Sequence, residues 1–487
     1  MILAGSPSFR YFECMRVLLV LGAVFLVQGA WAQPVGQLKI DSVTRLIQQY
    51  YNQKNINALY DLGGAKFKAA IDPQKFNQAT GGLYQQAGQL TAFQFETVTN
   101  QVAKYKATFS KAVLALLVGL DSTNKLETFA LVPYEKELPP KTRPVPTNNP
   151  LKTVLDKKVD SLVAPFMKKG NTVGMALGIL EQGNTHVYGY GETARDNQLL
   201  PDGHTLFEIG SITKTFTATL LAWFVQQGAI QLNDPVNKYL PDSIARLEYN
   251  GKPITIASLA NHTSGLPRLP ANFSVNHDPS NPYRDYTNEQ LFSFLAHSKL
   301  TREPGAQYEY SNLAMGLLGM ILERVSGKSY EQLLRDVIWQ PLQMNHTRIS
   351  LEGNDSAQFA LGYDKNLQAV HSWEFQCMAG AGAIRSCVND LLLYAKAQVS
   401  AGNTVLSKAI QLTHEQSFAS GQHKMGLGWH IFTVKGKNYI AHDGQTGGYS
   451  GSMIVDPSTG NAVVILTNAS AGPGQLSFEL LQTLEQK

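Results

Sequence analysis

The order in which strand-like and helix-like segments follow one another constrains this chain more than any single motif. Two strand patterns, Val173 to Leu180 and His186 to Tyr190, are joined at Gln182-Gly183-Asn184. Three others, at about Asn438 to His442, Ser450 to Val455 and Ala462 to Asn468, lie near the C-terminus and precede a last helix around Leu476 to Leu484. A helix over roughly Leu151 to Lys169 leads into the first pair, and the middle is mostly helical, with Pro- and Asn-rich loops between about Pro267 and Tyr283. First and last helices flanking an antiparallel sheet, with a helical insert between, predict an α/β sandwich beside an all-α lobe. A cleft between two such lobes is a natural place for a small-molecule site.

The chain has 487 residues, too many for one ordinary core, and its pattern divides accordingly. From about 40 to 136, helical spacing at Leu46, Ile47, Tyr50 and Tyr51 and a helix through Gln74 to Gln86 give way to alternation around Phe93 to Val98, Tyr105 to Phe109, Ala112 to Val118 and Leu126 to Val132. Helices followed by a run of strands predict a small α+β domain. Its order resembles the cone-shaped NTF2-like, ketosteroid-isomerase-like group, and with no cluster of ionisable residues a binding or positioning role is expected of it. The stretch 137–150, with Pro139, Pro140, Pro144, Pro146 and Pro150, reads as an extended, semi-rigid linker. The larger unit then runs from 151 to 487.

The first 32 residues read as an export signal. Arg10 and Arg16 precede an apolar run from Val17 to about Ala30, and Ala30-Trp31-Ala32 supplies a small-residue cleavage site. An uncleaved anchor is the alternative, although the run is short for a bilayer. No later stretch is long and apolar enough to span, so a periplasmic or secreted protein without a stable membrane span is expected. Of three cysteines, Cys14 falls in the leader. The spacing of Cys377 and Cys387 permits a bridge and equally leaves two free thiols. A net charge of +4 without a basic run argues against nucleic acid as a partner.

Three motifs carry chemistry. Ser211-Ile212-Thr213-Lys214 follows an apolar stretch and opens a helix bearing Phe216, Leu220, Leu221, Phe224 and Val225 at core-facing spacing. Residues three apart share a helical face, so Lys214 reaches back toward the Ser211 hydroxyl and makes it a candidate nucleophile with its activator. A second match, Ser122-Thr123-Asn124-Lys125, reads as an ordinary turn. Tyr310-Ser311-Asn312, after Pro304-Gly305 and before the apolar helix Leu313 to Val325, offers a phenol whose anion a nearby lysine would stabilise. Its Asn312 amide suits orienting a substrate or Lys214. Tyr50-Tyr51-Asn52 and Tyr286-Thr287-Asn288 match the same pattern, the first on a helical face and the second beside a capping box formed by Thr287 and Gln290. Read in isolation, Tyr310 is equally a core aromatic beside a cap.

The third motif is His442-Asp443-Gly444-Gln445-Thr446-Gly447-Gly448-Tyr449, at the end of a predicted strand. Gly444 lets a substrate backbone approach closely, the N–H groups of Ser211 and Gln445 would form an oxyanion hole, and His442 is expected to offer a neutral or cationic donor to the cleft. By itself it also reads as a loop histidine among turn glycines. Histidines are dispersed without ligand spacing, so no metal is expected, and no phosphate loop or dinucleotide fingerprint is found. Gly380-Ala381-Gly382 leads into Arg385-Ser386 and an expected helix cap, which suits a cleft-lining turn.

The order Ser-x-x-Lys, Tyr-x-Asn, His-x-Gly resembles the serine β-lactamase and penicillin-binding-protein superfamily, in the branch of class C β-lactamases, DD-carboxypeptidases and family VIII esterases. His262-Thr263-Ser264-Gly265-Leu266 and Gly426-Leu427-Gly428-Trp429 extend the match over about residues 151–487. The resemblance implies that Ser211 forms an acyl-enzyme, that Lys214 and Tyr310 handle its proton with either as base, and that Asn312 binds a substrate amide. It implies no cofactor, and a β-lactam or a D-amino-acid amide or peptide as substrate. A carboxylesterase and a non-catalytic sensor of cell-wall fragments are the alternatives. Where class C enzymes usually carry Lys-Thr-Gly, this chain has His442-Asp443-Gly444, which puts efficient β-lactam hydrolysis in question.

Overall fold

The computed structural model describes residues 37–99, 101–134, 138–273, 278–353, 355–421 and 423–485; the expected leader lies outside them. The chain divides into two units, 1–136 and 137–487.

In the first unit, helices α1 (Gln37–Asn52), α2 (Ile56–Asp61), α3 (Ala65–Ala70) and α4 (Pro73–Ala87) precede an antiparallel meander of β1 (Leu90–Thr99), β2 (Val102–Phe109), β3 (Val113–Leu120) and β4 (Leu126–Pro133). Helix α4 starts where it does because Asp72 accepts the Lys75 N–H at 2.9 Å and Pro73 fills the first helical position, where a missing N–H costs nothing. Leu59, Phe67, Phe76 and Leu83 from the helices meet Tyr105, Leu116 and Val118 from the sheet, so the alternation read in the sequence is the buried face of a small α+β domain. Both decoy motifs here are structural. Asp121 Oδ1 accepts the N–H groups of Thr123 and Lys125 to close the turn at 122–125, and Tyr51 lies within α1 with its hydroxyl donating to Gly88 O.

The second unit is built on one eight-stranded antiparallel sheet that joins the two ends of its sequence. Strands β5 (Gly174–Glu181) and β6 (Asn184–Gly191) pair with the C-terminal group β9 (Phe418–Ser420), β10 (His423–Met425), β11 (His430–Val434), β12 (Lys437–Gln445), β13 (Ser450–Asp456) and β14 (Asn461–Thr467), in the order β9-β10-β11-β12-β13-β14-β5-β6. Strands β13 and β14 are buried along their whole length because both faces are covered. Met175, Leu177, Ile179, Val463 and Ile465 face α5 (Val154–Met167) and α10 (Leu476–Glu485). Ala176, Leu180, Val464 and Leu466 face the other way, toward α6 (Thr213–Gln226), α8 (Asn312–Ser326) and α9 (Val388–Val399). Each fully buried aliphatic side chain contributes about 1.5–3 kcal/mol. This is the α/β sandwich with a helical lobe, which also contains α7 (Asn288–Ala296).

Two local readings are corrected. Helix α5 begins at Val154, not Leu151, because Leu151 sits at φ +55° and Thr153 forms a capping box with Asp156. Arg385-Ser386 is not a cap but a short strand, β8, paired with β7 (Phe207–Glu208); Cys387 is the N-cap of α9 and makes no side-chain capping bond. Cys377 and Cys387 are both free thiols. The second half of the expected linker lies along β6: Asn148 N donates to Gly189 O, Gly191 N to Pro146 O, and Asn149 Nδ2 to Tyr190 Oη at 2.7 Å. No helix among the described residues is long and apolar enough to cross a membrane.

Candidate active site

The segment before Ser211 is held as a strand and then turned sharply. After β7, Ile209 N donates to Ile384 O, and Gly210 adopts φ +50°, a conformation open to glycine and strained for other residues. A Cβ at Gly210 would stand 2.6 Å from Gln445 N, and one at Gly444 would collide with Ile209 O. Glycine on both sides is therefore what lets β12 cross the nucleophile turn and bring Gln445 beside it. A 3₁₀ turn at Gly210–Ile212 then feeds α6, so regular α-helix begins at Thr213, just after Ser211.

Lys214 lies one turn on. Its Nζ donates to Ser211 Oγ at 2.9 Å and to Ala381 O at 2.6 Å, and stands 4.9 Å from the centre of the Tyr310 ring. The side chain is fully buried, and loss of hydration, with Arg268 adding repulsion, pushes its amine well below the usual lysine range. A neutral amine is the form able to take a proton. Tyr310 donates its hydroxyl to Ser211 Oγ at 2.7 Å, and burial holds its phenol above the ordinary tyrosine value. Burial thus disfavours the expected phenolate.

Tyr310 is placed by α8. Ser311 caps that helix, its Oγ accepting Ala314 N at 2.9 Å and donating to Pro267 O at 2.7 Å. His262 supports the same segment, Nδ1 accepting Ser311 N at 3.2 Å and its ring lying 4.5 Å from that of Tyr310. Its backbone carbonyl accepts Glu309 N and that of Thr263 accepts Gly305 N, so the His262-to-Leu266 stretch scaffolds the loop carrying the phenol. The Gly426-to-Trp429 stretch serves the opposite side: Gly428, at φ +71°, would place a Cβ 2.6 Å from Lys214 O, and Trp429 is buried near Tyr394.

An open cleft of about 490 Å³ exposes this group, lined by Ser211, Tyr310, Arg268, His430, His442 and Gln445 among others, including Gly444. A slightly larger hollow of about 550 Å³, around Trp223, Leu333 and Val405, contains none of them. His442 departs from expectation. Its Nδ1 lies 2.7 Å from Asp443 O, which can only accept, so the proton sits on Nδ1 and Nε2 is left as a buried acceptor without a partner among the described residues. Burial, with His430 and Lys214 nearby, keeps its pKa well below the usual histidine value, so it is neutral. Asn312 is also less open than expected: Nδ2 donates to Tyr283 Oη at 2.8 Å, and Oδ1 is buried without a partner among the described residues. The Gln445 side chain donates to Ser470 O, leaving its backbone as the part nearest the nucleophile turn.

Arg268 went unnoticed in the sequence. Its guanidinium carbon lies 5.0 Å from the Tyr310 ring centre, the residue is exposed in the cleft, and no hydrogen bond or ion pair engages its head among the described residues. A lone arginine after Leu266-Pro267 carries no spacing signal, and only the fold brings it to Tyr310. His430 follows from the same pairing of strands, its ring 5.2 Å from that of His442.

Against this geometry, the β-lactamase family model matches residues 159–484. The chain belongs to the β-lactamase family. Among curated relatives of this family member, a β-lactamase of Pseudomonas fluorescens is 28% identical over 349 residues, covering 65% of this chain and 94% of the relative. A D-alanyl-D-alanine-carboxypeptidase/endopeptidase, AmpH, of Escherichia coli K12 is 40% identical over 195 residues, which is 40% of this chain and about half (49%) of the relative. A class C β-lactamase solved in complex with cefoxitin has 25% identity and a TM-score of 0.61, covering 68% of this chain and 98% of the other. The β-lactamase fold and a hydrolase of serine type follow from these matches.

Proposed function

We propose that this β-lactamase-family protein is an acyl-enzyme hydrolase in which Ser211 attacks the carbonyl of a D-amino-acid amide or peptide bond, with β-lactams as alternative acyl donors. The observation that carries the reading is the hydroxyl of Ser211 held between the Lys214 amine and the Tyr310 phenol at the floor of an open cleft. As Ser211 Oγ bonds to the carbonyl carbon, its proton passes to Lys214 Nζ. Negative charge on the carbonyl oxygen is met by the N–H groups of Ser211 and Gln445. As the carbon–nitrogen bond breaks, Tyr310 Oη gives its proton to the leaving nitrogen and is reprotonated from Lys214. Water then attacks the acyl ester by the same groups in reverse, returning the proton to Ser211.

Arg268 is the cation this cleft offers a substrate carboxylate, because Lys214 is spent on the nucleophile and His442 is neutral. Asn312 Oδ1 and His442 Nε2, both buried without a partner among the described residues, are assigned as acceptors for a bound substrate. The local 40% identity to a carboxypeptidase favours the D-amino-acid reading, and the expected leader supports a site of action outside the cytoplasm.

The test is mass spectrometry of the full chain and of Ser211→Ala after incubation with a penicillin, beside rates on a D-Ala-D-Ala peptide, a chromogenic cephalosporin and a short p-nitrophenyl ester. Peptide release and a penicillin adduct, both abolished by Ser211→Ala, are the expected result. Ester turnover alone would move the enzyme to the carboxylesterases, and a permanent label on Ser211 with no turnover of any substrate would make the protein a sensor.

A further inference from the structure

Within the second unit, outside the cleft that holds Ser211, three side chains from distant parts of the sequence converge. His204 lies on the loop before β7, His346 on the loop whose Arg348 pairs with Arg385 of β8, and Cys387 at the N-cap of α9. One ring nitrogen of each histidine and the Cys387 sulfur all lie within 4.8 Å of one another, and the two imidazole rings are 4.7 Å apart. The surrounding backbone fixes this arrangement. Asn389 N donates to Gly203 O at 3.0 Å, Arg385 N to Arg348 O at 2.8 Å, and His346 N to Asp390 Oδ2 at 2.8 Å.

The outer partners have the character of a ligand shell. Asp390 Oδ1 lies 3.6 Å from His346 Nδ1, beyond hydrogen-bond reach but facing the imidazole, and the Asn389 amide nitrogen lies 3.2 Å from His204 Nε2. The His204 ring has no hydrogen-bond partner other than Asn389, and the His346 ring has none, among the described residues. Cys387 makes no side-chain cap for α9, and its buried sulfur lies at the start of that twelve-residue helix within the cluster.

We propose that His204, His346 and Cys387 bind one divalent cation of the zinc class, which prefers imidazole and thiolate together. Two imidazoles and one thiolate leave a fourth position for water or the Asp390 carboxylate. Tetrahedral zinc sets its ligands about 3.3–3.7 Å apart, so the donors must draw together by about 1 Å. Exposed His204 and half-buried His346 can supply this by side-chain rotation. As the sulfur–metal bond forms, the thiol gives up its proton to solvent. The ion would tie the loop at His204, which runs through β7 into the Gly210-Ser211 turn, to the start of α9. Its role is to brace the nucleophile turn from behind, with no contact to substrate.

The experiment titrates Co²⁺, then Zn²⁺, into chelator-stripped full-length protein free of a histidine tag. A sulfur-to-cobalt charge-transfer band should saturate at one equivalent and be displaced by Zn²⁺, with one proton released and a raised thermal midpoint. Cys387→Ser should abolish the band while Cys377→Ser retains it. His204→Ala, at an exposed position that cannot unfold the protein, should weaken binding by about 10-fold or more. Absence of the band in the native chain, its survival in Cys387→Ser, or unchanged affinity in His204→Ala would each overturn the site. None of these readouts depends on the substrate of Ser211.

Discussion

Tyr310 donates its hydroxyl to Ser211 Oγ at 2.7 Å while Lys214 Nζ lies 4.9 Å from the centre of the same aromatic ring. Burial acts on the two groups in opposite senses, driving the amine toward its neutral base form and the phenol toward its neutral acid form. Tyr310→Phe keeps the ring and its packing on His262 but removes the proton relay. It should lower the rate of acylation by about 10²–10⁴-fold with little change in thermal midpoint. Single-turnover acylation followed by mass spectrometry measures this, and an unchanged rate would remove Tyr310 from the proton path.

The same electrostatics fix a pH dependence. Lys214 must be unprotonated to act as base, and its pKa is lowered, so kcat/KM should rise with pH through that lowered value and reach a plateau well below the ordinary lysine range. Arg268 is the second cause of the lowering. Arg268→Gln removes a positive charge near Lys214, makes the ammonium less costly and should move the acid limb to higher pH. A pH–rate profile on an uncharged ester, whose binding does not need Arg268, isolates this effect. A limb that stays in place or moves down would contradict the assignment of Lys214 as base.

The strands, the flanking helices and the approach of Lys214 to Ser211 were legible because each rests on local periodicity or on residues three apart. The states of His442 and Asn312 were not, because they are decided by Asp443 O and Tyr283 Oη, one set by strand geometry and the other by a loop far away in the sequence. Arg268 was invisible for the same reason, and so was the convergence of His204, His346 and Cys387, whose spacing matches no ligand pattern. The start of α5 is readable in the capping-box spacing of Thr153 and Asp156.

Gly444 tests whether β12 sets the nucleophile turn. With a Cβ directed into Ile209 O, Gly444→Ala must displace either the strand or the turn, since neither partner is a flexible side-chain end. Overpacking of this kind costs about 1–3 kcal/mol, and the displaced Gln445 N–H leaves the carbonyl oxygen less well held. The expected outcome is a lower midpoint in chemical denaturation together with loss of most of kcat. A fully active, equally stable variant would show that the Gly444–Ile209 contact does not govern the site.

Arg268 also carries a prediction about selectivity. An exposed guanidinium in the cleft, unengaged by any acceptor among the described residues, gains most from a substrate that brings a carboxylate, because the paired hydrogen bonds are charge-assisted. Arg268→Gln should therefore raise KM for a D-Ala-D-Ala peptide by about 10-fold or more, since a hydrogen bond to a charged group is worth about 1.5–3 kcal/mol, and leave KM for a neutral p-nitrophenyl ester nearly unchanged. The two substrates are compared at a pH on the plateau of both variants, so that the shift in Lys214 ionisation does not enter. An equal rise in KM for both would mean that Arg268 shapes the cleft without reading charge. A rise confined to the carboxylate substrate, reversed in part by Arg268→Lys, would place substrate recognition on the helical-lobe side of the cleft rather than on the strand that carries His442.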